Sequence, residues 1–103
     1  MYHDLTIGFF DPTRVFPHRE VNVSRVLSDG ELDAIDAAVR GAGFAQDVRE
    51  FLDPRGVLVV PWLSGDADED LAAVIGRAAH ALGATVADVE HGAVINPDDP
   101  EEL

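Results

Sequence analysis

Residues 56–90 constrain this chain more than any other stretch, because they spell a strand, an acidic turn, a helix and a second strand in succession. Val57, Leu58, Val59 and Val60 form a continuous run of β-favouring apolar residues, the pattern of a strand covered on both faces. Pro61 removes a backbone donor, so full ladder pairing is expected to end there. Ser64, Gly65 and Asp66 then turn the chain into a helix predicted over 67–82, with Leu71, Ile75, Ala78 and Leu82 on its apolar stripe. Ala72, Ala73, Gly76 and Ala79 let that helix lie close to a neighbour, and Gly76 costs about 1 kcal/mol relative to alanine unless close approach compensates. Gly83 stops the helix, and residues 85–90 alternate like a half-buried strand.

Upstream, Leu5, Ile7 and Phe9 alternate with Asp4, Thr6 and Gly8, which predicts a strand over 3–10 with Phe10 tucked under the following loop. Asp11-Pro12 and Phe16-Pro17 bracket that loop and suit neither helix nor ladder strand. A second strand is predicted over 20–27, with Val21, Val23 and Leu27 on one face. Arg25 falls on the same face, which calls for a bulge, a strand-end position or a carboxylate partner, since an unpaired buried guanidinium is costly. Ser28-Asp29-Gly30-Glu31 has the capping-box pattern and opens a helix with Leu32, Ile35 and Val39 on one stripe, ended by Gly41 or Gly43. Residues 44–52 fit helical spacing through Phe44, Val48, Phe51 and Leu52, or a strand face through Phe44, Gln46, Val48 and Glu50. The turn residues Asp53-Pro54-Arg55-Gly56 lead straight into Val57, so a hairpin is the more economical of the two. Ala93, Val94 and Ile95 either extend the last strand or re-pair with it.

Residues 20–90 thus follow the β-α-β-β-α-β order of the split βαβ, ferredoxin-like sandwich. The expected class is α+β, an antiparallel sheet with two helices on one face, plus an extra N-terminal strand at one edge. Residues 21–27 and 57–60 are the expected central strands. At 103 residues the chain has room for one domain, placed over 1–95. Residues 96–103 hold two prolines and four acids and read as an acidic, frayed tail.

Charge narrows the partners. Twenty acidic residues stand against seven basic ones, a formal net charge of −13, and every basic residue is an arginine. Such a field repels nucleic acid and anionic membrane surfaces and speeds association with a basic protein. A GC-rich genome or a salt-loving host yields the same composition, so the charge alone assigns no function. The absence of cysteine removes disulfides, thiolate metal sites and a cysteine nucleophile. The N-terminus lacks a basic segment followed by an apolar one, and no apolar run approaches the roughly 18–20 residues of a membrane span, so a cytoplasmic protein is expected.

Asp66-Ala67-Asp68-Glu69-Asp70 is the densest charged feature. It opens like a calcium loop, but Leu71 stands where that loop needs glycine and Arg77 where it needs glutamate. Carboxylates also gather at helix starts because the macrodipole favours them. Asp66, Asp68, Glu69 and Asp70 are therefore either a helix-start cluster or a partner-docking patch. His3, His18, His80 and His91 show no metal-ligand spacing, and neither a nucleophile elbow nor a dinucleotide loop is present. Arg25, Trp62 and His91 are the candidate lining of a ligand pocket. No cofactor or metal is expected. The function expected is a small non-enzymatic module that binds and masks a basic protein, in the manner of an immunity protein, antitoxin or inhibitor. The alternatives are a small-molecule-binding or enzymatic ferredoxin-like homodimer and a structural subunit of a larger complex.

Overall fold

The computed structural model describes residues 2–63 and 71–98. Among them are five strands and two α-helices: β1 (Tyr2–Phe10), β2 (Val23–Arg25), α1 (Asp29–Gly41), β3 (Leu58–Leu63), α2 (Leu71–Ala81), β4 (Thr85–Asp88) and β5 (Ala93–Ile95). All strand pairs are antiparallel, and both helices pack on one face, so the α+β class is as expected and consistent with a ferredoxin-like sandwich. No described helix is long and apolar enough to cross a membrane.

Strand placement within that class differs from expectation. β1 is the centre of the sheet and not an edge addition, pairing with β3 through Tyr2–Ile7, with β4 through Thr6–Gly8 and with β2 at Phe9 and Phe10. Leu5 and Ile7 are fully buried toward the helices, and Thr6 is buried on the other side. Alternation puts Thr6 and Gly8 on the other face, which the helices do not cover. A covering loop buries that face instead, and Gly8 makes room for Val57, whose Cγ1 lies 2.5 Å from where a Cβ on Gly8 would stand.

The strand predicted over 20–27 contracts to β2, because the register shifts between Phe9 and Phe10. The irregularity sends Val21 into the loop-side core with Phe10, Val15, Val57 and Ala87, while Leu27 joins the helix-side core. Arg25 takes the strand end. Residues 44–52 are not a strand: Val48–Phe51 form a 3₁₀ turn whose N-cap, Asp47, accepts from the Arg49 N–H at 2.9 Å. The turn at 53–56 forms as predicted, with the Gly56 N–H on the Asp53 carbonyl at 3.0 Å and Gly56 at φ 84°. The hairpin it closes amounts to one bridge, Leu52 to Leu58. Pairing continues past Pro61 to Leu63, tolerated because proline at a sheet edge needs no ladder donor on its outward side. The loop after β1 contains a 3₁₀ turn, Pro12–Arg14, capped by Asp11.

Ser28 and Glu31 complete both halves of the capping box, and Leu32, Ile35 and Val39 are buried as their spacing predicts. Both helices end in a Schellman motif. Phe44 and Gly43 donate to the carbonyls of Val39 and Arg40, and Ala84 and Gly83 to those of Ala79 and His80. The apolar stripe of α2 is rotated from the predicted one: Ala72, Ala73, Ile75, Gly76 and Ala79 face the core, and Leu82 is exposed. Small residues win that face because the helix lies close to Val86, whose methyls are 3.7 Å from the Cβ position of Gly76. β4 lies between β1 and β5 and is buried on both faces, not half-buried, while β5 re-pairs with it as a hairpin.

Candidate functional site

The pairing of β1 measures how far apart the sequence-predicted pocket residues lie. Arg25 is the Cα partner of Phe9 and Trp62 that of His3, so they sit at opposite ends of β1, about 20 Å apart at ~3.3 Å per residue. His91 follows β4 at the Trp62 end of the sheet. Asp66, Asp68, Glu69 and Asp70 lie outside the described residues.

Arg25 grips Glu31 through two hydrogen bonds of 2.8 Å, and its guanidinium lies 3.6 Å above the Phe9 ring. Glu31 also accepts from the Ser28 N–H at 2.9 Å. Arg25 first, and that N–H second, hold the Glu31 carboxyl down to about 2. Here the arginine serves the fold, tying β2 to the first turn of α1.

His91 is held differently. Its Nδ1 lies 2.8 Å from Asp88 Oδ2, and its backbone N–H donates to Asp88 Oδ1 at 3.3 Å. Asp88 is buried at the end of β4, so the pair pins the β4–β5 turn and orients the imidazole. On α2, His80 Nδ1 lies 3.0 Å from Asp98. Among the described residues no group of three or more His, Asp or Glu could hold a metal ion.

Comparison with family models, curated proteins and solved structures gives no match. What this chain can do chemically therefore rests on its own side chains.

Arginine pairing dominates the surface. Arg14 pairs with Asp11 at 3.5 Å, Arg25 with Glu31, Arg40 with Asp36 at 2.8 Å, Arg49 with Asp33 at 2.9 Å and Arg55 with Asp53 at 2.8 Å. The Arg40 guanidinium keeps Asp36 below the usual carboxylate range, and Asp33 raises Arg49. Five of the seven arginines are thus spent on local carboxylates.

Sequence reasoning missed a cleft of about 400 Å³ on the face away from the helices, where Thr6, His18, Arg19, Glu20, Arg55, Val89 and Glu90 meet. These residues come from four segments, β1, the covering loop, the 53–56 turn and the β4–β5 turn. No spacing rule links them. The one local signal was the pair of prolines, Pro12 and Pro17, marking a loop shaped for something other than connection.

Proposed function

We propose that this chain is a non-enzymatic interaction module that binds and masks a basic partner protein in the cytoplasm. The observation that carries the reading is the arginine pairing: five of the seven arginines are taken up by carboxylates among the described residues, so little free cationic surface offsets the net charge of −13. An outward field of one sign supplies association rate and partner choice more than raw affinity. Asp4 and Glu50 are exposed carboxylates that form no ion pair among the described residues. Asp66, Asp68, Glu69 and Asp70 are the proposed docking residues, because four acids in five positions exceed what a helix start requires.

The test is capture of a partner from host lysate at low salt, followed by binding measurements on the purified pair. The association rate is expected to fall about tenfold or more between low and high salt, within the range steering supplies. It should fall similarly when the four acids are changed to Asn, Asn, Gln and Asn. A partner whose association ignores both salt and the quadruple change would overturn the proposal, as would failure to capture any basic protein.

A further inference from the structure

The cleft on the loop-covered face has a built floor and cationic walls. Thr6 lies mid-strand in β1 and is 94% buried (6% exposed), yet its hydroxyl has no hydrogen-bond partner among the described residues. A buried hydroxyl without a partner costs stability unless something else completes it. Arg19 is exposed and, unlike five of the other arginines, forms no ion pair among the described residues. Arg55 is steadied by Asp53, which accepts from its Nε at 2.8 Å, leaving its two terminal amino groups without a hydrogen bond among the described residues. The 53–56 turn thereby holds one guanidinium in place with its bidentate edge unused.

The covering loop is fixed so that it supplies the opposite wall. His18 adopts φ 57°, a region that non-glycine residues seldom occupy, and its backbone N–H donates to the Val89 carbonyl at 3.1 Å. Pro17 packs against Gly92, where a Cβ would stand 2.4 Å from the proline Cδ. Loop and β4–β5 turn are therefore joined at two adjacent loop residues, Pro17 and His18.

We propose that this cleft binds a small molecule through a single oxyanion head group, a carboxylate or a phosphate monoester. Two guanidinium groups with open donors and a buried hydroxyl donor form a matched set for such a group. Glu20 and Glu90 line the same cleft and disfavour a second anionic group elsewhere on the bound molecule. The strong negative charge of the whole chain does not forbid the site, because charges beyond about 8 Å are largely screened at physiological ionic strength. The site is independent of partner masking and can hold or fail separately.

The test uses the whole chain, labelled with ¹⁵N, titrated with acetate in one arm and inorganic phosphate in the other. Saturable shifts are expected at the amides of Thr6, His18 and Val89, and the tighter of the two probes identifies the head group. Arg19→Gln should weaken binding about tenfold, the worth of one charge-assisted contact, and Thr6→Val should weaken it further. Arg77→Gln changes the net charge equally from α2 and should leave the affinity unchanged. Non-saturating shifts with both probes would overturn the site. So would equal loss in Arg19→Gln and Arg77→Gln, which marks a general charge effect. Arg19 is exposed and forms no ion pair among the described residues, so its variant keeps the test decisive even if Thr6→Val does not fold.

Discussion

The two faces of the sheet are built by different means. On one, α1 and α2 close over Leu5, Ile7, Leu58, Val60 and Val86, and Leu32, Ile35, Val39 and Ile75 fill the space between. Regular elements with periodic apolar faces meet there, and the side chains are sealed from water. On the other, a loop carrying one 3₁₀ turn lies across Phe10, Val15, Val21, Val57 and Ala87, and beside that smaller core it leaves a polar cleft. A loop has few ladder bonds to satisfy its backbone and must stay near solvent, so it covers a sheet without sealing it. Packing strength is concentrated on the helix side, and open chemistry on the loop side.

The largest expected effect breaks this comparison at its strong end. Ile35→Ala empties a fully buried site on α1 and should lower unfolding free energy by about 2–5 kcal/mol. Val15→Ala on the loop side removes two methyl groups from a smaller core and should cost roughly 1.5 kcal/mol. Urea unfolding of the pair measures the contrast, and equal losses would mean that the faces are equally packed.

A second variant tests whether the loop side opens on its own. Gly92→Val places a branched side chain at φ 67° and into the Pro17 backbone, 2.6 Å from the Cβ position to its nitrogen. The expected cost is about 1–3 kcal/mol. It should appear first as faster hydrogen exchange at the His18 amide, which donates to Val89, with the Ile35 region still protected. Uniform loss of protection would show that the faces unfold as one unit.

The smallest effect sharpens the helix side through pH. Glu31 titrates near 2 in the folded chain, below its ordinary 4.5, so the stability its charge supplies is complete above pH 4.5 and drains away as pH falls toward 2. Glu31→Gln keeps a side chain able to reach back to Ser28 but loses the Arg25 ion pair. The variant should lose less than about 1 kcal/mol at neutral pH, as exposed pairs do, and show a shallower acid limb in urea midpoints between pH 4.5 and 2. An unchanged acid limb would place the titration elsewhere.

Legibility followed the same division. Ser28, Glu31, Leu32, Ile35 and Val39 announced α1 because a cap and a helical stripe are local, and the structure keeps every one of those roles. The 53–56 turn was readable for the same reason. The stripe of α2 was misplaced because hydrophobicity favoured Leu82, while close approach to Val86 favoured the small face around Gly76. Residues 44–52 carried both periods and became a 3₁₀ turn once Asp47 capped it. Arg25 announced its need for a partner but not which carboxylate would meet it.

The sequence by itself determined the α+β class, the two helices with their stops, the turn at 53–56, and the net charge of −13. These follow from residue types within a few positions of one another, where propensity, capping and periodicity act. Only the tertiary structure decided that β1 is central, that Val21 and Leu27 face opposite cores, and that Thr6, His18, Arg19 and Arg55 share one cleft. Those outcomes depend on which distant segment covers each face, and burial is settled by contacts across the sheet rather than by neighbours along the chain.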